Sequence, residues 1–160
     1  MIRTTLTVLL IAVCAQAYAG TVITGRVVGV ADGDTLTLLD ADQRQHIVRL
    51  DGIDAPEKAQ PFGQASKRHL SDLAFGRDAT AECHKIDRYR RNVCRITVND
   101  GDLCLEQLRA GLAWVFTRYA GELPTQRRAD YIDAEQVARG EQRGLWQDAQ
   151  PMPPWEWRHK

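Results

Sequence analysis

The sequence carries no excess charge of either sign, since 21 lysines and arginines are matched by 21 aspartates and glutamates. The strongly basic balance that usually marks a nucleic-acid binder is therefore missing. Any phosphate-binding surface has to be local, with acidic residues elsewhere or gathered around a metal. Cys-x-x-Cys is also absent, and His46, His69, His84 and His159 are scattered. That pattern argues against a metal held through sulfur, and each histidine reads as structural or surface. Long apolar runs are scarce. The one candidate, Leu6 to Ala15, is broken by Thr7 and is shorter than the ~18–20 residues that span a bilayer. No internal repeat is visible.

What the first residues do contain is the pattern expected of an export signal. Arg3 supplies a positive start, the apolar run follows, and Ala17-Tyr18-Ala19 puts small residues where a signal peptidase reads. A signal peptide over residues 1–19 is expected, with Gly20 as the mature N-terminus and the protein periplasmic or secreted. The alternative is a lipoprotein signal at Cys14, against which Val13 stands where a small residue is wanted. The rest is sized for one domain, expected over 20–146, with a Pro/Trp-rich tail over 147–160. After processing Cys83, Cys94 and Cys104 remain, and an oxidising compartment favours pairing of two.

Thr21 to Leu39 reads as two strands joined by the turn Ala31-Asp32-Gly33-Asp34, and Gln45 to Asp51 as a third. Asp51 to Pro61 is broken by Gly52, Pro56 and Pro61 and reads as loop. Gln64 to Ala74 has helical spacing, with Ser66, Leu70, Leu73 and Ala74 on one face. Asp78 to His84 and Asn92 to Asn99 form a second strand pair with Ala81, Cys83, Cys94, Ile96 and Val98 inward. That alternation predicts a disulfide or a close thiol contact between Cys83 and Cys94 and leaves Cys104 a buried thiol. Leu103 to Ala110 is a short helix ended by Gly111, and Thr125 to Glu141 is the longest, with Tyr131, Ala134, Val137 and Ala138 at core spacing. Residues 150–160 show no period and read as a surface tail, with Trp155 and Trp157 covering an apolar patch. The order predicts an α+β domain on a small five-stranded barrel.

Three stretches hold most of the informative charge: Asp32-Gly33-Asp34-Thr35, Arg49-Leu50-Asp51-Gly52-Ile53-Asp54-Ala55-Pro56-Glu57, and Asp87-Arg88-Tyr89-Arg90-Arg91. Singly, each has an ordinary reading. Asp-Gly is a turn signal, Arg49 suits a surface pair with Asp51, Glu57 suits a helix start, and 87–91 suits a solvated loop. Together they offer three carboxylates, Asp34, Asp54 and Glu57, of the oxygen-donor type that suits a hard cation such as Ca²⁺. Arg49 and Arg91 add planar forks matched to phosphate oxygens. Phosphoryl transfer needs positioning, and positive charge where negative charge gathers.

In that order and spacing the three motifs resemble the staphylococcal nuclease family, from about Thr21 to Trp146, with Gly111-Leu112-Ala113-Trp114-Val115 and Gly144-Leu145-Trp146 in family-like places. The resemblance implies a five-stranded OB-fold barrel with three helices, acting as a calcium-dependent nuclease on DNA or RNA. It would place the cation on Asp34, Asp54 and the carbonyl of Ala55, and give Glu57 the attacking water. Arg49 and Arg91 would clamp the phosphate, and Tyr89 and Tyr119 would line the nucleotide pocket. Asp32 and Asp51 flank the ligands and would add charge behind them. The sequence departs from the family at Ala55, commonly threonine, at Arg90, usually glycine, and at Thr117, a pocket tyrosine in the staphylococcal enzyme. An Arg90 forced to positive φ would be strained. The alternatives are a non-catalytic OB-fold nucleic-acid-binding module and an exported calcium-dependent structural domain. Nothing in the chain demands more than a monomer.

Overall fold

A computed structural model of the protein describes residues 20–160; the expected signal peptide lies outside them. Five strands make the barrel: β1 (Thr21–Val30), β2 (Thr35–Leu39), β3 (Gln45–Leu50), β5 (Asp78–Ile86) and β6 (Asn92–Val98). Short β4 (Ile53–Asp54) lies between β3 and β5 in the chain. β1 is long enough to serve two neighbours. Its first half pairs with β5 and its second half with β2, and a register shift between Val27 and Gly29 bends it between them. A bulge of this kind turns a strand around a barrel corner. Antiparallel β2–β3 and β5–β6 ladders continue the sheet, and a parallel β3–β6 pairing closes it.

Alternation along each strand sends one row inward: Val27, Leu36, Leu38, Val48, Leu50, Ala81, Cys83, Cys94 and Ile96 are all buried. The helix α1 (Gly63–Ala74) adds Leu70 and Ala74 to this core, and α2 (Leu103–Arg109) adds Leu103, Cys104 and Leu108. Short β7 (Gly101–Asp102) leads into α2. Asp102 caps α2 by accepting from the amides of Cys104 and Leu105, at 2.9 and 3.3 Å, and a cap of this type contributes about 1 kcal/mol. Cys83 and Cys94 stand opposite each other in the β5–β6 ladder and are joined by a disulfide. Cys104 is a buried free thiol whose pKa burial pushes up.

The longest helix, α3 (Thr125–Gly140), buries Tyr131, Ala134 and Ala138. Val137 departs from expectation and is exposed. It lies one residue, about 100° of helix, from Ala138 and so turns off the core stripe. A second apolar cluster gathers Trp114 of β8 (Trp114–Val115) with Ala138, Leu145 and Trp146, and Phe62 and Trp155 pack against it.

The tail covers an apolar patch through Trp155, as expected, but it is not without regular structure. Pro154–Trp157 forms a fourth helix, α4, with Pro154 buried. Trp155 stacks on Phe116 at 5.7 Å between centroids and meets Trp114 edge-on at 5.8 Å. The fold is the expected α+β barrel with one more helix than the three implied by resemblance. No helix among the described residues is long and apolar enough to cross a membrane.

Candidate active site

The turn between β1 and β2 presents Asp34, and its shape depends on Gly33. A Cβ there would meet Ser66 Oγ at 1.8 Å and the Ala55 Cβ at 2.8 Å. With no side chain at Gly33, the turn packs directly on α1 and on the β4 segment. Gln107 of α2 holds it from behind, donating from Nε2 to the Gly33 carbonyl at 2.5 Å and to the Ser66 carbonyl at 3.1 Å. Asp32 Oδ1 accepts from the Asp34 amide at 3.1 Å.

Arg49 lies opposite Thr35 in the β2–β3 ladder, next to this turn. Its guanidinium joins two acids, with Nη1 donating to Asp34 Oδ1 at 2.5 Å and Nη2 to Asp54 Oδ1 at 2.8 Å. Asp54 is fixed by the pairing of β4 with β8, where it stands opposite Trp114. The Ala55 amide donates to Asp34 Oδ2 at 2.8 Å, and Thr35 Oγ1 donates to Asp34 Oδ1 at 3.0 Å. Asp34 and Asp54 are 3% and 1% exposed, so both charges depend on these partners. Burial pushes the Asp34 carboxyl above its ordinary value, with Arg49 pulling against it and Asp32 adding to the rise. Burial opposes the Arg49 charge, but Asp34 and Asp54 outweigh it and hold the guanidinium above the ordinary arginine range.

Glu57 sits where the loop after Pro56 curls into α1. Its amide donates to Gln60 Oε1 at 3.1 Å, and its carbonyl accepts from the Gln60 amide at 2.9 Å. Gly63 makes the curl possible, because a Cβ there would lie 1.9 Å from the Glu57 carbonyl oxygen. The carboxylate meets an arginine from the far end of the chain. Arg158 Nη1 donates to Glu57 Oε1 at 2.7 Å, and Nη2 donates to Asp54 Oδ2 at 2.6 Å. Sequence reasoning missed this residue. It lies outside the three motifs, and only the Trp and Pro anchors before it hinted that the tail docks.

Arg91 and Tyr89 come together on the β5–β6 hairpin, where the β3–β6 pairing sets Val93 beside Arg49, and Arg91 shares no hydrogen bond with the acids of this group. Asp87 holds Arg91 there, accepting from its amide at 2.9 Å and its Nε at 2.8 Å, and from the Tyr89 amide at 2.9 Å. The Arg91 guanidinium lies 5.2 Å from the exposed Tyr89 ring. Tyr119 stands edge-on to Phe116 at 5.0 Å, with Lys85 Nζ 4.4 Å above its ring. Asp51 does not serve the site as expected. It is buried toward α3 and β5, with Arg127 Nη2 at 3.3 Å and His84 Nδ1 at 3.6 Å from Oδ2.

Whether the residues suit a hard cation follows from the donor set. Asp34 and Asp54 offer buried oxygens and Ala55 lies against Asp34, so the chemistry fits Ca²⁺. Asp32, Asp34, Asp54 and Glu57 bring four negative charges against the two of Arg49 and Arg158, an imbalance a dication would cancel. Among the described residues no three metal-ligating side chains converge.

The sequence profile described as "Staphylococcal nuclease homologue" matches residues 47–148. The chain belongs to the staphylococcal nuclease family. Relatives within reach include an "Uncharacterized endonuclease" of Escherichia coli O157:H7, 40% identical over 141 residues and covering 86% of each chain. An "Uncharacterized endonuclease" of Haemophilus influenzae is 37% identical over 137 residues, covering 86% of this chain and 74% of its own. A "Micrococcal nuclease" of Shigella flexneri is 37% identical over 144 residues, covering 84% and 79%. The matched stretch of this staphylococcal nuclease homologue includes Arg49, Asp54, Glu57 and Arg91, while Asp34 and Arg158 lie outside it.

Proposed function

We propose that this chain is an exported, calcium-dependent nuclease that hydrolyses phosphodiester bonds in DNA or RNA with little sequence preference, as a monomer. Family membership and the nuclease names of its relatives support the enzyme class. The observation that carries the reading is the single guanidinium of Arg49 lying between two buried carboxylates, Asp34 and Asp54. An arrangement that costs so much desolvation stabilises the fold poorly and suits a site for charge chemistry. The Cys83–Cys94 disulfide supports an oxidising compartment, in keeping with the signal-like stretch over 1–19.

Asp34, Asp54 and the Ala55 carbonyl would hold the calcium ion, which supplies positive charge to a phosphate oxygen. Glu57, partly exposed beside them, orients water and accepts its proton as the water oxygen attacks phosphorus. The ester P–O bond opposite then breaks, and the leaving oxygen takes a proton from solvent. Arg49 and Arg91 stabilise the charge that grows on the phosphoryl oxygens. Tyr89 and Tyr119 give the bases aromatic faces, which are sequence-tolerant.

The test is incubation of the purified mature protein with DNA and RNA, first with calcium and then with chelator. Cleavage in calcium that stops with chelator, and lower activity in magnesium, is the expected result, since magnesium demands a tighter octahedron. Binding without cleavage in any metal would replace the enzyme with a nucleic-acid-binding module.

A further inference from the structure

We propose that Arg158, delivered by the C-terminal segment, is a third arginine of the active site, which positions Glu57 against Asp54 and takes a substrate phosphate. The proposal rests on the nuclease reading above. Its basis is geometric. One guanidinium contacts both carboxylates, reaching Glu57 Oε1 at 2.7 Å and Asp54 Oδ1 and Oδ2 at 3.3 and 2.6 Å.

The segment that brings it is anchored rather than draped. Gln60 connects the two partners directly: its Oε1 accepts from the Glu57 amide, and its Nε2 donates to the Met152 carbonyl at 2.6 Å. Pro154 is buried and Trp155 is stacked on Phe116. The loop that carries Glu57 and the segment that carries Arg158 are thus set against each other by one side chain. Glu57 has no other hydrogen-bond donor on its carboxylate among the described residues, so its rotamer depends on Arg158.

Arg158 also differs from Arg49 in what it leaves free. The Arg49 side chain is 14% exposed, whereas that of Arg158 is 41% exposed. A guanidinium that holds carboxylates through both terminal nitrogens while its side chain stays partly exposed can also donate to an anionic oxygen arriving from solvent. The nearby Lys160 adds a second cation to the same segment, 5.4 Å from the Trp157 ring. The chain has no net positive charge and this cluster holds more acids than arginines, so each cation in it matters for a polyanion.

The experiment compares Arg158→Ala and Arg158→Lys with the unaltered full-length mature protein. Single-turnover rates at saturating DNA in calcium are one readout. Binding of a fluorescent single-stranded oligothymidylate in chelator, across a salt series, is the other. Arg158→Ala should lower the single-turnover rate roughly tenfold or more. It should also flatten the salt slope of binding by about 0.7, the value of one phosphate contact on a single strand. Arg158→Lys should restore the slope but not the rate, because a point charge cannot span Glu57 and Asp54. A purely structural tail would lose melting temperature with an unchanged salt slope, and that result overturns the proposal. So does an unchanged or faster rate in Arg158→Ala, which would mark the segment as an inhibitory strap. Arg49→Ala separates the two levels of failure. If Arg49→Ala loses cleavage and Arg158→Ala does not, the role of Arg158 falls alone. If the unaltered protein neither cuts nor binds, the nuclease reading falls with it.

Discussion

Arg90 occupies a backbone conformation that its side chain does nothing to earn. Its φ is +64°, at the turn where the family usually has glycine. The turn persists because Asp87 holds both flanks, accepting from the amides of Tyr89 and Arg91 with its side chain and from the Arg90 amide with its carbonyl. A left-handed arginine costs about 1–2 kcal/mol relative to a residue without a Cβ. Arg90→Gly should therefore raise the melting temperature by a few degrees, at about 2–4 °C per kcal/mol for a chain of this size. Single-turnover cleavage should stay the same, because Arg91 keeps its bonds to Asp87. A melting temperature that falls in scanning calorimetry would mean that Arg90 makes a stabilising contact outweighing its strain.

At the scale of elements, the β5–β6 hairpin is secured at one end by that acid and near its middle by the Cys83–Cys94 bridge. Burial alone would raise the Asp87 pKa, but the hydrogen bonds from the Arg91 amide and guanidinium outweigh it and hold the carboxyl below its ordinary value. A depressed folded pKa contributes stability above the unfolded value, near 3.9, and that stability disappears as pH falls through the lower folded value. Asp87→Asn should thus be less stable than the natural protein at pH 7, and the gap should close toward pH 2. Melting curves across that range decide it, and a gap as wide at pH 2 as at pH 7 would remove the carboxylate from the account. The hairpin was legible in sequence because Cys83, Cys94 and Ile96 alternate and Asp87 to Arg91 is too polar to bury. So were the acidic turn and the Arg49-to-Glu57 loop, where the candidate residues lie within a few positions of one another. Arg158 and Gln60 were not legible. Their roles exist only through contacts spanning 101 and 92 residues, and no local period signals a contact of that range. Val137 was misplaced for a smaller reason, a stripe read one residue too wide.

For the molecule as a whole, the barrel stabilises a cluster that would not stabilise itself. Asp34 and Asp54 are buried with Asp32 nearby, and Arg49 and Arg158 leave part of the negative charge unbalanced. The disulfide, the closed β3–β6 seam and the two apolar clusters supply the stability that this site withdraws. A ligand that binds only the folded form returns some of it by mass action, about 2.7 kcal/mol at a hundred times its dissociation constant. Saturating calcium should therefore raise the melting temperature by about 5–10 °C, and chelator should reverse the gain. Asp34→Asn keeps the shape of the turn and removes one buried charge. That variant should melt higher than the natural protein in chelator, since the desolvated carboxylate is gone, and should gain little from calcium. The two shifts have opposite signs, so a general loss of packing cannot imitate them. An Asp34→Asn protein that gained as many degrees from calcium as the natural one would place the cation elsewhere, and Asp34 would then be a partner of Arg49 alone.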